Sequence, residues 1–255
     1  MTENTQQWGE ILKTALTDNG KLSEAYSAFW NYSLGNQMAA MSQCASRGIQ
    51  VGPIASFKAW GDKGRKIRKG EKAIELCMPI TMKATKETAE GSEEYSFSRF
   101  VWRRNWFALC QTEGDEYIAD IKIPQWDKAK SLETLKITEG SFDIPDGNCQ
   151  GYASGRMIAV NPLAVLPHKT RFHELAHVVL GHTAESTMHD TDRTPKDIRE
   201  LEAESVAYLL CSLLNLPGII ESRGYIQSWF KGAAIPEKSA QRIFSAADKI
   251  LKSGA

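Results

Sequence analysis

The strongest constraint on the fold is the segment Phe172-His173-Glu174-Leu175-Ala176-His177-Val178-Val179-Leu180. Its apolar residues recur at helical spacing, which predicts a helix over about 169–181, with Gly181 where a C-terminal glycine cap belongs. On that helix His173 and His177 lie one turn apart and project from one face, so both imidazoles can bind a single ion. Glu174 projects beside them, where a carboxylate can take a proton from water held by the ion. The His-Glu-x-x-His pattern therefore predicts a one-metal site of metallopeptidase type, with Glu174 as general base. All five histidines fall within the 22 residues from His168 to His189. His182 is expected to act electrostatically at the helix C-terminus, and His168 and His189 to be surface residues.

A second helix, expected over 195–215, supplies carboxylates. In Arg199-Glu200-Leu201-Glu202-Ala203-Glu204, helical geometry puts Glu200 and Glu204 on one face and turns Glu202 elsewhere. A catalytic zinc takes three protein ligands and keeps one position open. Glu200 is read as the third ligand, and Glu204 as the group that hydrogen-bonds the far nitrogen of a ligand histidine. The reverse assignment of these two glutamates stays open. One Zn2+ per chain is the expected cofactor. The pattern admits both a working peptidase and a metal site that processes no peptide.

The chain has 255 residues, 42% hydrophobic and 24% charged, enough for one large or two ordinary domains. Lys+Arg and Asp+Glu both number 31, so net charge argues neither for nor against a nucleic-acid partner and the distribution of charge must decide. Residues 56–72 (SFKAWGDKGRKIRKGEK) hold seven basic side chains against two acidic ones, with Trp60 inside the segment. Trp102-Arg103-Arg104 and Trp106 follow on a predicted strand. Basic groups track phosphates while aromatic rings stack on bases, a pairing that suits single-stranded nucleic acid. The competing reading is a solvated charged loop with its tryptophans in the core. Five scattered cysteines without a Cys-x-x-Cys pair point to a reducing cytoplasm. The start, MTENTQQWGEILK, lacks the pattern of a signal peptide, and no stretch reaches the roughly 18 apolar residues of a membrane span. A cytoplasmic protein with no membrane partner is expected.

Apolar spacing predicts a helix over 5–16 and a second helical stretch from Ser23 to Arg47, with a break near Gly35 compatible with it. Strands are expected at Ile49–Val51, Ala73–Met78, Phe97–Trp102, Trp106–Leu109 and Tyr117–Ile121, with polar Lys83–Glu94 as a mobile hairpin loop. Tyr152–Pro162 reads as a strand or β-hairpin, and further helices are expected over 169–181, 195–215 and 236–252. The predicted class is α+β: a small α+β domain over 1–125, a linker over 126–135 and a mainly helical domain over 136–255.

The ordered motifs Asn31-Tyr32-Ser33-Leu34-Gly35-Asn36-Gln37, Gln43, Ala55-Ser56-Phe57-Lys58-Ala59-Trp60, Gly64-Arg65-Lys66-Ile67-Arg68-Lys69-Gly70-Glu71-Lys72 and Trp106-Phe107-Ala108-Leu109-Cys110-Gln111-Thr112 resemble the N-terminal domain of the ArdC antirestriction family over roughly residues 5–125. The resemblance implies single-stranded DNA binding through Tyr32, Asn36, Trp60, Arg65, Lys66, Arg68 and Lys69, with a structural role also open for Asn36 and Trp60. The basic and aromatic pattern adds Lys63, Lys72, Trp102, Arg103 and Arg104 to the candidate DNA contacts. Residues Lys169–His182 and Glu200–Ala207 resemble the zincin domain of such proteins and the ImmA/IrrE-type metallopeptidases, in which a glutamate on a downstream helix completes the site. Met38-Ala39-Ala40-Met41 departs from the family's leucine/isoleucine run. The role implied is protection of incoming plasmid or phage DNA from host restriction. A reading from another class is a regulatory zinc protease that cuts a host or element-encoded protein.

Overall fold

The computed structural model describes residues 7–88, 91–146, 148–184, 194–230 and 235–255. The class is α+β, as expected. The chain packs as two units, one formed by the chain up to Met38 together with Ile121–Ala255, the other by Ala39–Asp120.

The first unit holds α1 (Trp8–Thr17), α2 (Asn19–Phe29), the start of α3 (Leu34–Arg47), and everything after Asp120. In chain order the later elements are α5 (Lys128–Leu135), β6 (Thr138–Glu139), β7 (Gly151–Ser154), β8 (Met157–Val160), α6 (Pro167–Val179), α7 (Lys196–Leu213), α8 (Ile219–Phe230) and α9 (Glu237–Ser253). Helix α7 is its core. Leu201, Ala203 and the run Ser205–Cys211 are wholly buried, covered by α6, α8, α9, α1 and α2. The last two come from the N-terminus because their apolar faces (Ile11, Leu12, Leu16, Leu22, Phe29) need that cover. Glu237 of α9 fixes the start of α1, accepting hydrogen bonds from the Trp8 and Gly9 amides at 2.7 and 2.9 Å. Leu34 N–H, at the start of α3, donates to Asp248 at 3.0 Å.

The packing units therefore divide the chain differently from the expected boundaries at 125 and 135. Apolar periodicity shows that a helix has a face to bury, not which distant helix will cover it. The expected linker, 126–135, is tied down at its start. Trp126 Nε1–H donates to the Ile250 carbonyl at 3.0 Å, and Asp127 caps α5 by accepting from Lys130 N–H at 2.7 Å. The helical stretch expected from Ser23 to Arg47 is interrupted at Trp30–Ser33, just before the Gly35 position where a break is compatible with the pattern, and gives α2 and α3. Residues 5 and 6 of the first expected helix, and His189, lie outside the described residues.

The second unit contains β1 (Ile54–Ser56), α4 (Phe57–Gly61), β2 (Arg65–Ile67), β3 (Ile74–Thr88), β4 (Gly91–Ala108) and β5 (Thr112–Gly114). They form an antiparallel sheet in the order β1-β4-β3 and a two-stranded β2–β5 ladder. Two buried glutamines tie it together. Gln43 accepts from Glu75 N–H and donates to Glu75 C=O, both at 2.8 Å. Gln111 accepts from Ala108 N–H at 2.9 Å and donates to Glu71 and to the Lys72 carbonyl at 2.8 and 3.0 Å. Within the segment expected as a mobile hairpin loop, Lys83–Glu94, the described residues are paired strand: β3 runs to Thr88 and β4 starts at Gly91, with Lys83 opposite Ser96 and Thr85 opposite Glu94. Its polar composition hides the strand because water reaches both faces of a two-stranded ribbon. The expected strands Ile49–Val51 and Tyr117–Ile121 are irregular backbone; Ile54–Ser56 pairs with β4 instead.

In the first unit a three-stranded sheet, β6-β8-β7, lies beside α6. Glu139 on β6 takes both ends of the Arg171 guanidinium, at 2.8 Å from one terminal nitrogen and 3.1 Å from Nε, with Lys128 at 3.2 Å. The Arg171 hydrogen bond holds the Glu139 carboxyl below its ordinary pKa. A depressed carboxylate stabilises the fold above its unfolded pKa of about 4.3, and that contribution is lost as pH falls through the folded value. Glu139→Gln should therefore lower Tm by about 2–4 °C at pH 7. In thermal melts, the gap to the parent should close between about pH 5 and pH 3; a pH-independent gap would contradict the assignment.

Candidate functional site

Helix α6 begins with Pro167, which needs no intrahelical N–H partner there, and buries Phe172, Leu175, Ala176 and Val178. That orientation leaves His173 and His177 facing α7, with Glu174 buried beside Gly151 of β7. The His173 and His177 Nε2 atoms converge at 3.1 Å, and Glu200 of α7 brings its two oxygens to 3.4 Å from His173 Nε2 and 3.8 Å from His177 Nε2. The three donors all lie within 4.8 Å of one another. An ion bound tetrahedrally at about 2.0–2.1 Å from two imidazole nitrogens and a carboxylate oxygen would see those atoms about 3.3 Å apart. The donor set and its spacing thus fit one divalent ion.

The electrostatics point the same way. Burial disfavours charge on His173, but hydrogen bonds to Glu200 and Glu204 outweigh it and raise the imidazole to about 9. His177 is pushed down to about 4, first by burial and then by the positive charge on His173. The carboxylates thus favour a cation at the spot where the two Nε2 atoms meet. Glu174, 8% exposed, is raised to about 7, chiefly by burial, with Glu200 adding to the rise and His173 opposing it. Its packing depends on Gly151 of β7, where a Cβ would stand 3.2 Å from Glu174 Cγ and 2.6 Å from Thr170 Cγ2.

The structure separates Glu200 from Glu204. Glu204 Oε2 meets the other nitrogen of His173, Nδ1, at 3.1 Å, and its Oε1 pairs with Lys169 at 2.7 Å. Burial would raise Glu204, but these two partners bring it down to about 2.

Two residues expected to stand apart from this cluster belong to it. His182 Nδ1 lies 3.0 Å from His177 Nδ1, and His182 Nε2 lies 2.9 Å from Glu202 Oε2. Arg242 approaches the same Glu202 oxygen at 3.4 Å and donates to the Leu180 carbonyl at 2.8 Å. Both His182 and Glu202 side chains are 1% exposed. The turn that makes this possible is at Gly181, whose φ of 83° lies in the left-handed region. It closes α6 with His182 N–H donating to the His177 carbonyl at 2.9 Å and so returns the imidazole to His177. The sequence signals were Gly181 and the five-residue spacing of the two histidines. His168 stands in the first turn of α6 and is exposed, as expected.

The candidate DNA contacts divide by what already holds them. Trp60 is 1% exposed, donates from Nε1 to the Phe107 carbonyl at 2.8 Å and packs edge-on against Tyr117, so its ring is core and offers no face to a base. The Arg65 guanidinium donates to Thr112 Oγ1 at 2.7 Å and to the Asp115 carbonyl, and Arg68 donates to the Cys110 carbonyl. These two arginines brace the turn that ends at Gln111 and the strand β5 that follows it from Thr112. Lys63 stands over the Tyr117 ring at 5.1 Å. Lys66, Lys69, Lys72 and Arg103 are exposed; Arg104 is exposed and pairs with Glu75 at 3.6 Å. Tyr32, Asn36 and Trp102 are half-buried. Tyr32 and Asn36 precede the Met38/Ala39 division between the packing units, whereas the other candidates follow it.

Among the described residues no helix is long and apolar enough to cross a membrane. No curated protein is recognisably similar in sequence. Residues 1–106 match the family model described as the N-terminal domain of anti-restriction factor ArdC. Two solved structures are similar over nearly the whole chain. One is the metal-free antirestriction ArdC protein from the R388 plasmid, 19% identical, with 97% of this chain and 94% of that chain covered and a TM-score of 0.52. The other is the Mn(II)-bound structure of the same protein, 18% identical, with 98% of each chain covered and a TM-score of 0.52. The chain is thus similar over residues 1–106 to the N-terminal domain of anti-restriction factor ArdC and, across nearly its full length, shares the fold of the R388 plasmid protein.

Proposed function

We propose that this chain is an antirestriction protein of a mobile element, acting in the cytoplasm, that binds single-stranded DNA and carries one zinc ion in a peptidase-type centre. The observation that carries the reading is the pairing in one chain of an ArdC N-terminal domain with a converging His173, His177 and Glu200. The DNA contacts favoured by placement are the exposed Lys66, Lys69, Lys72 and Arg103. Tyr32, Asn36, Lys63, Trp102 and Arg104 are secondary candidates, while Trp60, Arg65 and Arg68 hold the unit together.

His173, His177 and Glu200 would hold the zinc, which when bound supplies Lewis acidity toward a carbonyl and toward water. The chain's own residues do the rest. Glu174, buried beside the ligands, takes a proton from the attacking water on its carboxylate and returns it to the leaving amine. For His173 to ligate through Nε2, its proton must sit on Nδ1, where Glu204 accepts it. For His177 the Nδ1–H donates to His182 Nδ1, and His182 Nε2–H then donates to Glu202. The manganese recorded for the R388 protein makes manganese the competing ion.

A second reading, a regulatory protease cutting a host or element-encoded protein, is favoured by β7. This strand is at the edge of its sheet, and its Gly151 lies against Glu174, so an extended peptide paired to that edge would pass the general base.

Three results are expected. Affinity for a single-stranded oligonucleotide should exceed that for its duplex, and the log–log salt slope should shrink by about 2 when Lys66, Lys69 and Lys72 are all changed to glutamine; an unchanged slope would remove these lysines from the interface. Glu174→Gln should lower any peptide hydrolysis by about 100-fold or more while bound zinc stays the same, and retained cleavage would end the general-base assignment. His182→Ala should weaken zinc binding by about 10–100-fold in a chelator competition, and an unchanged zinc affinity would show that His182 does not hold His177.

A further inference from the structure

The β3–β4 hairpin carries a face of which the assignments above use Arg103 alone. In its antiparallel register Met82 stands opposite Phe97 and Ile80 opposite Arg99. Directly opposed residues share a face, and alternate residues along a strand lie on the same side. Along β4 this face therefore presents Tyr95, Phe97, Arg99 and, beyond Val101, Arg103. Tyr95 is 50% and Phe97 40% exposed, and their ring centroids are 6.0 Å apart with planes inclined by only 34°. Arg99 and Arg103 are exposed as well. From Tyr95 to Arg103 every β4 residue on this face is aromatic, aliphatic or cationic.

An exposed aromatic pair on a two-stranded ribbon is not explained by the fold, which would be served by polar side chains there. Its charge selects among occupants. A second copy of the same face would bring Arg99 and Arg103 against arginines, which like-charge repulsion opposes. A polyanion with flat apolar groups satisfies both features: the rings offer faces for stacking and the guanidiniums meet phosphate. We propose that this ribbon face is a base-stacking platform for single-stranded nucleic acid, with Tyr95 and Phe97 each taking one base and Arg99 and Arg103 the adjoining backbone. The inference rests on the single-strand reading above and adds to it the part of the site that touches bases.

The test is fluorescence anisotropy with two labelled strands of equal length, an oligothymidylate and an abasic deoxyribose-phosphate strand, using the full chain. The Tyr95→Ser/Phe97→Ser double variant should bind the oligothymidylate about tenfold or more weakly and bind the abasic strand as the parent does. Arg99→Gln should weaken binding to both strands and reduce the salt slope by about 1. Equal oligothymidylate affinity in parent and double variant would overturn the platform, and so would equal losses on both strands, the signature of a damaged fold. If the parent itself binds neither strand, the single-strand reading fails first and the platform with it. A concentration-dependent dimer in sedimentation, abolished in the double variant, would assign the face to a second copy instead.

Discussion

Helix α7 must be the core of its unit and must also carry Glu200, Glu202 and Glu204 within two turns. Carboxylates in an apolar core are costly unless each is paired or hydrogen-bonded. The surrounding elements supply those partners: Lys169 and His173 for Glu204, Arg242 and His182 for Glu202, and the paired imidazoles for Glu200. The groups that make α7 tolerable in the core are thus the groups that form the candidate metal site. Removing one partner would leave a buried charge behind, so stability and site geometry are coupled through the same contacts.

The consequence is two outer supports of different kinds. His173 rests on a carboxylate directly, and that carboxylate is balanced by Lys169. His177 rests on a second imidazole, which rests in turn on Glu202 and Arg242. Both supports leave the two Nε2 atoms facing one point. Each imidazole's ring orientation is set by packing and hydrogen bonds at its far nitrogen, which pre-arranges the donors before any ion arrives.

The shared face of His173 and His177, with Glu174 beside them, is readable in the sequence because a helix repeats every 3.6 residues; that Glu200 rather than Glu204 meets their Nε2 atoms is not, because spacing puts both glutamates on one face of another helix. The His182–Glu202 support is harder to read, since it depends on a left-handed turn at Gly181 and on a helix face that looks merely alternative in the one-dimensional pattern. The basic segment misleads in a different way. A sequence shows that Arg65 and Arg68 are cationic, but not that backbone carbonyls from Cys110 and Asp115 occupy them. In the same way Trp60 reads equally well as a stacking ring or a core residue until its indole N–H is seen to meet Phe107. The long hairpin escapes notice because its period-2 alternation is weak where both faces meet water.

Metal content after loading with zinc, desalting and elemental analysis tests the central claim most directly, comparing the parent with Glu200→Ala and Glu204→Ala. The account predicts one zinc per parent chain, loss of retained zinc in Glu200→Ala, and retention with weakened affinity in Glu204→Ala. A parent chain that retains no zinc, or a Glu200→Ala chain that holds it as firmly as the parent, would contradict the assignment of His173, His177 and Glu200 as the metal site.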